Sequence, residues 1–600
     1  MRPRSLQLLA LASCSVFAAP ARAQIHQDWL KATDLAPSGR DEIYAVAAAA
    51  SGNVYAAGQT GAYDLLLEKI DAAGNLAWAH SFDFSGGIDD AQALLVDPTN
   101  EDVFVFGRGD FNSTRGLAQR YDTSGALIWT QEFDAPFGTA QFYCAGFAPN
   151  GQLVAAAGLG QGGFALCGFD KAGGTLLWTG YEPNGDYPSA IAFDGNGDIL
   201  VSGSYYGVGS NSNFGVTRFS SSGTYLWTRL VSGGGYGYQS ASALLLDGAG
   251  NAYVTGRLID LVLGAREALV KLDSAGNVVW TATHQGTQPN SVYSDEGLQD
   301  LGFSANGNIR AVGVCSNTGT GRDLQALEYT PAGQLVWQAS WSAPASFGEN
   351  CIGLQVEADG TLTVLATTRP VANSTNPAIV RFDAQGNFLG ADIDDLTALS
   401  TRAIFTGGFG PGGACLFAGR TPAAAPTDAL VLQLREQSNS YCFGDGSSGA
   451  CPCANSSPAG EGRGCANSSG TSARLTSSGV ASLSGDGLVL TSTGELASAP
   501  SIFLQAAGAG APAHLGDGIL CLGGSLKRMF VHSAAGGVAS APSGSDASFS
   551  ARSAALGDVI AAGSQRYYQV IYRDPVAGFC APPSGSSYNL SSALSVLWVP

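Results

Sequence analysis

The sequence predicts an all-β protein, in which an eight-bladed β-propeller over residues 24–435 is followed by a small, disulfide-stapled β-sandwich. Three observations predict this fold class. A short phrase that ends in tryptophan recurs along the first two thirds of the chain, at the length of one four-stranded blade. Glycine accounts for 82 of the 600 residues, which suits many short strands joined by tight turns. Six of the twelve cysteines lie after residue 440, where the repeat has ended.

Residues 1–23 are predicted to be a secretory signal peptide. Arg2 and Arg4 precede an apolar run, Leu6–Ala19, and a small-x-small cleavage site lies just before Gln24. A membrane anchor is the alternative, but the apolar run is too short to span a bilayer. We therefore expect a bacterial protein that is secreted, extracellular or at the cell surface, with no membrane span.

The charge of the mature chain excludes one class of partner. Residues 1–23 contain three arginines and no acid, so their removal leaves 26 basic and 48 acidic residues. A chain this acidic repels the phosphates of nucleic acids and anionic lipids. We expect no nucleic-acid partner.

The repeat combines an aspartate or polar residue, a glycine three residues later and a tryptophan at the end of the phrase. The six tryptophans that end it, Trp78 to Trp337, are spaced by 51, 49, 49, 53 and 57 residues. A seventh copy, 383–390, ends in glycine instead. Each period contains four short apolar runs bounded by Gly, Asn and Asp, which is typical of four strands.

The blade count depends on one segment near the start of the chain. Second and third strands each occur eight times, and the last third strand is Ala429–Leu434, but only seven fourth strands follow their own third strands. Asp28–Lys31, with Trp29, matches a fourth strand and has no blade before it. We expect it to pair with Ala429–Leu434, which would close the ring and leave no open edge. Seven blades is the alternative.

The tryptophans are predicted to be structural rather than catalytic. We expect each indole to be buried between the outer strands of neighbouring blades, because the spacing places one at the same point of every period. The predicted docking residues are Trp29, Trp78, Trp129, Trp178, Trp227, Trp280 and Trp337.

The repeat carries a family resemblance. The phrase Asp273–Trp280 resembles the tryptophan-docking repeat of quinoprotein-like eight-bladed propellers, and Asp247–Gly256 is similar to bacterial propeller repeats of the NHL and SBBP kind. The resemblance covers roughly residues 27–435. It implies the fold but no single activity, because these families include dehydrogenases, assembly scaffolds and binding modules.

The resemblance to quinoproteins implies, for their enzymes, a calcium ion held by carboxylates and an amide, a catalytic aspartate and often a disulfide between adjacent cysteines. The chain contains no Cys-Cys pair and no Cys-x-x-Cys-His sequence, and its five histidines are scattered. We expect no cofactor, no metal and no enzymatic activity. A propeller enzyme, either a quinoprotein-type dehydrogenase or a polysaccharide-active enzyme, is the alternative, since two acids from separate blades leave no readable spacing.

Acids and tyrosines in the loops are the remaining candidates within the propeller. The acids that enter the first strands are interpreted as solvated loop residues: Asp89, Asp90, Asp295, Glu296 and Glu349. The tyrosines lie on the face where the loops from fourth to first strands emerge. They are candidates for binding a glycan or a protein, with packing of their own loops as the alternative: Tyr181, Tyr187, Tyr205, Tyr206, Tyr236, Tyr238 and Tyr293.

A cysteine-rich segment, 436–470, precedes a predicted β-sandwich over 471–600. A sandwich is expected because the sequence there has no helical period, and residues 546–551 are expected to form one of its strands. In an exported chain, disulfides are favoured over zinc. Cys451 and Cys453 are too close in sequence to bond each other, so two pairings of the first four cysteines remain. The expected disulfides are Cys442–Cys451, Cys453–Cys465, Cys521–Cys580 and, within the propeller, Cys315–Cys351.

The segment from Tyr441 to Gly446, together with Trp598 near the end of the chain, is similar to a C-terminal module common on exported proteins of environmental bacteria. That resemblance implies attachment to the envelope or sorting. The sequence as a whole thus predicts an exported, non-enzymatic scaffold that presents propeller loops to a glycan or protein.

Overall fold

The computed structural model describes residues 25–598 except for short segments. These segments are 36–38, 85, 110–114, 137, 161, 207–211, 236, 263, 289–295, 344–345, 347, 358–359, 370–374, 395–402, 422–427, 437, 459–461, 479–480, 577–578 and 581–587. Among the described helices, none is long and apolar enough to cross a membrane.

Eight four-stranded antiparallel sheets form the blades of a propeller, which confirms the predicted fold class. The first strands of neighbouring blades contact one another and surround the axis. The strands of blades 1 to 4, preceded in the chain by β1 (Ile25–Thr33), are β2 (Glu42–Ala48), β3 (Val54–Gln59), β4 (Leu65–Ile70), β5 (Leu76–Phe82); β6 (Asp90–Val96), β7 (Val103–Gly109), β8 (Arg115–Tyr121), β9 (Leu127–Phe133); β10 (Ala140–Phe147), β11 (Leu153–Leu159), β12 (Phe164–Phe169), β13 (Leu176–Glu182); β14 (Gly185–Phe193), β15 (Ile199–Tyr206), β16 (Ser212–Phe219) and β17 (Tyr225–Val231).

The other four blades repeat this pattern. Their strands are β18 (Ser240–Leu246), β19 (Ala252–Asp260), β20 (Gly264–Leu272), β21 (Val278–His284); β22 (Gly297–Phe303), β23 (Ile309–Asn317), β24 (Gly321–Tyr329), β25 (Leu335–Trp341); β26 (Glu349–Val356), β27 (Leu362–Thr368), β28 (Asn376–Phe382), β29 (Phe388–Ile393); β30 (Ala403–Gly410), β31 (Ala414–Arg420) and β32 (Ala429–Glu436). Every first strand contains a register shift near its start, which marks a β-bulge or similar irregularity.

Blade 8 joins the two ends of the propeller sequence. Strand β1 pairs antiparallel with β32, from Ile25 opposite Glu436 to Thr33 opposite Ala429. The sheet order is therefore β1-β32-β31-β30, and the strand around Trp29 is the outermost of the blade. The expected ring closure is confirmed, because the first and last blades share one sheet.

Each tryptophan of the repeat lies against a glycine in the next blade. A Cβ atom added at Gly223 would lie 2.2 Å from the Trp178 ring, and Gly223 has a φ of +82°. Only glycine both adopts this conformation without strain and leaves room for the indole. The pairs are Trp29–Gly74, Trp78–Gly125, Trp129–Gly174, Trp178–Gly223, Trp227–Gly276, Trp280–Gly333 and Trp337–Gly386.

Hydrogen bonds accompany this contact at several junctions. The Trp78 Nε1–H donates to the carbonyl of Thr123, 3.1 Å away, and Lys69 Nζ donates to the same carbonyl at 2.9 Å. Trp280 and Lys271 share the carbonyl of Pro331 in the same way. Trp29 and Trp129 are buried, and the other docking rings are partly exposed, so the indoles dock through one face rather than being enclosed.

The missing tryptophan of blade 7 has a structural reason. The glycine that receives each indole lies in the turn between a third and a fourth strand. Blade 8 has no such turn, since its third and fourth strands are β32 and β1, from opposite ends of the sequence. A tryptophan at Gly390 would have no glycine to contact, and the space beside Gly390 is open.

The C-terminal module is a small β-sandwich. A five-stranded sheet, β33-β42-β41-β36-β39, and a three-stranded sheet, β34-β35-β40, share a core that includes Trp598. The elements are β33 (Ser438–Tyr441), β34 (Arg474–Ser478), β35 (Val489–Thr493), β36 (Pro500–Ala506), β37 (Gly508–Leu515), β38 (Gly518–Gly523), β39 (Lys527–Ser533), β40 (Val538–Ala541), α1 (Phe549–Ala555), β41 (Gln565–Arg573) and β42 (Tyr588–Leu597).

The expected strand at 546–551 is wrong, because helix α1 begins there. Its buried Phe549 packs edge-on against Phe530 and Tyr568, at ring distances of 5.0 and 5.2 Å. Periodicity alone does not distinguish a short buried helix from a buried strand.

The disulfides of the module connect segments that are distant in sequence. The observed pairs are Cys442–Cys521, Cys451–Cys465 and Cys453–Cys580. The expected pairs Cys442–Cys451, Cys453–Cys465 and Cys521–Cys580 are therefore wrong. Strand β33 pairs with β42 in the five-stranded sheet. This pairing places Cys442 beside β38 rather than beside the cysteines that are near it in sequence. The cysteine-rich segment is thus bonded into the sandwich.

The expected Cys315–Cys351 disulfide is also wrong, because both cysteines are free and buried. Cys351 packs in a core with Val312 and Val314, whereas the Cys315 thiol donates to Gln325 Oε1 at 3.2 Å. Side chains alternate along a strand, so Cys315 points away from the face that Val314 shares with Cys351. Cys144, Cys167 and Cys415 also form no disulfide.

Replacing one docking tryptophan tests the junction between blades. Trp178→Ala should lower the free energy of unfolding by about 3 kcal/mol, because it removes a large aromatic contact from a packed site. Leu177→Ala, at an exposed position of the same strand, should cost less than about 1 kcal/mol. Denaturant unfolding of both variants measures the difference, and equal losses would contradict the docking role.

Ring closure is predicted to depend on pH through Glu68. This residue is fully buried in β4, and burial raises its pKa to about 7, with Thr33 and Lys31 of the closing strand close to it. A raised pKa means that folding favours the protonated form. The contribution of protonated Glu68 to the free energy of unfolding is complete below its pKa of about 4.5 in the unfolded chain. It is lost as the pH rises through 7.

Glu68→Gln removes this ionisation. The variant should match the parent at pH 4 and be more stable at pH 8 by about 2–3 kcal/mol, since one pKa unit corresponds to about 1.4 kcal/mol. Glu132→Gln, at a surface ion pair, is the control and should show no such pH dependence. Thermal unfolding at both pH values provides the measurement. An equal change in stability of Glu68→Gln at pH 4 and at pH 8 would disprove the role of Glu68.

Candidate functional site

The candidate site lies at the mouth of the central channel, on the face where every first strand begins. We call this the loop face. In each blade, one residue of the first strand lies opposite a glycine or alanine that recurs in the second strand. The residue that follows it in the first strand occupies an equivalent position in all blades. This position holds Phe405, Tyr44, Gln92 and Tyr143 in blades 8, 1, 2 and 3, and Ser189, Ser242, Gln299 and Ile352 in blades 4 to 7. Aromatic side chains are therefore concentrated on one half of the mouth.

We define the aromatic arc as Phe405, Tyr44, Tyr143, Tyr187 and Tyr206. Tyr187 and Tyr206 belong to blade 4, so the arc runs from blade 8 to blade 4. Phe405, Tyr187 and Tyr206 are exposed, at 44%, 56% and 49% of their surface. Exposed aromatic side chains at a channel mouth are available to a ligand.

At the blade 8 end of the arc, Phe405 lies 6.1 Å from Tyr44, measured between ring centroids. The Tyr44 hydroxyl donates to Glu42 Oε2 at 2.6 Å, and Glu42 forms an ion pair with Arg420. The Arg420 guanidinium lies 5.4 Å from the Phe405 ring centre. Burial and the neighbouring Glu42 carboxylate raise the pKa of Tyr44, so its hydroxyl stays protonated.

Asp90 organises the middle of the arc. It is 3% exposed and accepts hydrogen bonds from Arg108 Nε at 2.9 Å and Gln141 Nε2 at 2.9 Å. The Tyr143 hydroxyl in turn donates to Gln141 Oε1 at 3.0 Å. This polar bridge fixes side chains of blades 2 and 3 relative to each other, because each buried polar group has a partner.

At the blade 4 end, Tyr187 packs edge-on against Tyr143 with 5.6 Å between ring centroids. The Tyr206 hydroxyl is hydrogen-bonded to Asp186. Burial and the neighbouring Tyr187 raise the pKa of Tyr143 to about 12. The hydroxyls of Tyr143 and Tyr206, whose pKa burial raises, therefore stay protonated.

The tyrosines expected from the sequence are distributed differently. Tyr187 and Tyr206 lie in the arc, whereas Tyr181 and Tyr238 are exposed elsewhere, on β13 and in the loop before β18. Tyr236 and Tyr293 lie outside the described residues.

Tyr205 is wrong as a surface candidate. It is 0% exposed, and its hydroxyl lies 2.8 Å from Thr217 Oγ1. Consecutive residues of a strand point to opposite faces, so Tyr206 is exposed because Tyr205 is buried.

Sequence reasoning missed Tyr44, Tyr143 and Phe405. One sequence pattern could have indicated the two tyrosines. It is a polar, an apolar and an aromatic residue in succession at the start of a first strand. It occurs as Glu42-Ile-Tyr44 and as Gln141-Phe-Tyr143. The Arg108 and Arg420 partners come from second strands, and no local spacing connects them to the acids that they bind.

The loop acids are not solvated, contrary to expectation. Asp89, Asp90, Glu296 and Glu349 are buried, and Asp295 lies outside the described residues. Asp89, Glu296 and Glu349 hold the loops that enter their blades. They accept hydrogen bonds from the backbone N–H groups of Phe84, Ser316 and Ala343, respectively. Burial raises the pKa of Glu296, and that of Glu349 to about 7.

The acids described in the middle and at the blade 8 end of the arc do not fit a calcium-dependent quinone site. Glu42 and Asp90 are each paired with an arginine, and a guanidinium beside a carboxylate opposes binding of a cation. The one cluster of potential metal ligands among the described residues is Cys453, Asp517 and Cys580. Its two cysteines form a disulfide with each other, so their sulfur atoms are not thiolate ligands.

Removing Arg108 tests the polar bridge. Arg108→Met should lower the free energy of unfolding by about 3 kcal/mol, because it leaves the buried Asp90 carboxylate without its cation. Arg115→Met is the control. Its guanidinium pairs with Glu132 at the surface, and its loss should cost at most about 1 kcal/mol. Chemical denaturation distinguishes the two, and equal small losses would contradict a built bridge.

Comparisons with known proteins agree with the repeat architecture. The family described as outer membrane protein assembly factor BamB matches residues 64–287, from blade 1 to the end of blade 5. Among curated proteins, none matches the chain in sequence.

Solved structures similar to the chain include Sqt1 from Chaetomium thermophilum, which is 12% identical, with 68% of this chain and 98% of that chain covered and a TM-score of 0.43. Sqt1 from Saccharomyces cerevisiae is 12% identical, with coverage of 66% and 97% and a TM-score of 0.43. The Dos1 propeller is 13% identical, with coverage of 70% and 95% and a TM-score of 0.42. We draw no functional conclusion from these structures. The chain is an eight-bladed β-propeller, whose residues 64–287 match the BamB family model, followed by a disulfide-bonded β-sandwich.

Proposed function

We propose that the chain is an exported, non-enzymatic scaffold that binds a glycan with the aromatic arc. The observation that carries this proposal is the composition of the arc, in which exposed aromatic rings alternate with polar side chains that are already held in place. The ring of Phe405 or Tyr187 offers an apolar face to the C–H surface of a sugar. Hydroxyl, amide and carboxylate groups beside the rings suit the hydroxyls of the same sugar.

A protein partner is the other class of ligand that exposed aromatics suit. Protein interfaces concentrate apolar side chains in a fully buried core. In the arc, the exposed rings at the two ends are separated by Asp90, Arg108 and Gln141, so no continuous apolar centre is available. This arrangement favours a glycan.

The state of the acids favours binding over catalysis. A general acid or base must exchange a proton with the substrate, and glycoside hydrolysis needs a pair of such carboxyls. Glu42 and Asp90 each hold an arginine and accept further hydrogen bonds. They serve as fixed acceptors, which supports a scaffold rather than a propeller enzyme of the quinoprotein or polysaccharide-active type.

Export and attachment complete the proposal. The basic and apolar start of the chain, residues 1–23, has the pattern of a secretory signal, and three disulfides suit an oxidising compartment. The module that carries these bonds would attach or sort the protein at the envelope, and the propeller would present its loop face outward.

The purified mature chain should bind at least one glycan on an array, and calorimetry should then measure its affinity. Tyr187→Ala should weaken binding about tenfold, which corresponds to about 1.4 kcal/mol for one aromatic contact. Tyr225→Ala is the matched control, because Tyr225 is 47% exposed on the outer strand of the same blade. It should leave the affinity unchanged.

Two outcomes would contradict the proposal. If no glycan binds, or if Tyr225→Ala weakens binding as much as Tyr187→Ala, the arc is not a glycan site. If mass spectrometry of the bound glycan shows cleaved or oxidised products, the protein is an enzyme rather than a scaffold.

A further inference from the structure

We infer that the arc contains two separate aromatic platforms joined by a charge-neutral bridge, and that its ligand is an uncharged glycan chain long enough to contact both platforms. This inference rests on the proposed function and names the class of glycan. Platform one is Phe405 with Tyr44, and platform two is Tyr143 with Tyr187 and Tyr206.

The two platforms are interrupted at blade 2. The equivalent positions of blades 8, 1, 2 and 3 hold Phe405, Tyr44, Gln92 and Tyr143. Rings are in contact within each platform, at 6.1 Å for Phe405 and Tyr44 and 5.6 Å for Tyr143 and Tyr187. Between them lie Gln92 and the buried Asp90, whose oxygen Oδ1 lies 3.3 Å from Gln92 Nε2. A ligand that stacks on both platforms must therefore cross a polar stretch.

Two of the three acids along the arc are paired with a cation. Arg420 neutralises Glu42 and Arg108 neutralises Asp90, while Asp186 accepts a hydrogen bond from the Tyr206 hydroxyl. Among the described residues of the arc, an acidic sugar would lose hydration without gaining a free cation. An acidic glycan would also be repelled by the chain as a whole, which carries 48 acidic and 29 basic residues. An uncharged chain pays neither penalty, and its hydroxyls can bond to the bridge.

The length of the ligand follows from the spacing of the blades. Platform one spans blades 8 and 1, and platform two begins at blade 3, so two blade junctions separate Tyr44 from Tyr143. A single sugar ring covers one platform, whereas a chain of several rings reaches both. Contacts at both ends of one chain reinforce each other, because the second contact forms at a high effective concentration.

The experiment measures affinity against chain length by calorimetry on the full mature chain. The probes are linear neutral oligosaccharides of glucose, mannose and galactose of increasing length, with oligogalacturonides of matching lengths as the acidic series. For the neutral sugar that binds, affinity should rise at least about tenfold between the monosaccharide and the longest chain. Oligogalacturonides should bind at least about tenfold more weakly than neutral chains of equal length.

Variants separate two platforms from one. Phe405→Ala and Tyr187→Ala should each remove the gain with length, and the double variant should bind long chains only slightly more weakly than either single variant. Tyr225→Ala should keep the full gain. Unchanged melting temperatures would establish that the exposed positions were replaced without unfolding.

The outcomes distinguish this inference from the proposed function. If neutral oligosaccharides bind in the arc with an affinity that does not depend on length, or if oligogalacturonides bind more tightly, the inference is wrong and glycan binding stands. Independent, multiplicative losses in the two single variants would also overturn it. If no probe binds and the array is empty as well, the proposed function itself fails.

Discussion

The contact between a tryptophan ring and the glycine of the next blade is the constraint on which the structure depends. It recurs at seven of the eight blade junctions, and several of these indoles also donate a hydrogen bond to the same turn. The contact fixes the outer edges of neighbouring sheets at a constant distance. The eighth junction lacks both partners because β32 and β1 close blade 8 without a turn. The pairing of β1 with β32 lies within blade 8, where it closes the ring by joining the two ends of the propeller.

A constant outer contact leaves the inner positions free to differ. The first strands share a bulge and a common register, so a given position points toward the mouth in every blade whatever its side chain. At this position blades 8, 1 and 3 carry aromatic residues, whereas the other five carry Gln92, Ser189, Ser242, Gln299 and Ile352. The asymmetry of the mouth is not required by the fold. Function is carried by such positions rather than by the fold itself, and for this reason we place the ligand on one half of the ring.

The same separation explains what the sequence could predict. The blade count, the closing strand around Trp29 and the docking glycine phrase follow from short-range periodicity, which a single sequence displays. The disulfides do not, because Cys442 reaches Cys521 through the pairing of β33 with β42, a contact across the module. Tyr205 and Tyr206 share one predicted role, but they point to opposite faces of β15 and only Tyr206 is exposed. The partners of Glu42 and Asp90 come from strands in register with theirs, and register is visible only once the sheets have formed.

Burial gives the acids of this protein two different roles. Asp89, Glu296 and Glu349 lie one position before the mouth and accept hydrogen bonds from backbone N–H groups, so that they hold loops. Burial raises the pKa of Glu296 and Glu349. Glu42 and Asp90 lie at the mouth and face arginines of second strands. A carboxylate bonded to a guanidinium is held in one orientation, and it presents a fixed acceptor to a ligand above it. Adjacent positions at the start of a first strand thus have different roles. The earlier side chain stabilises a loop, and the next one belongs to the binding surface.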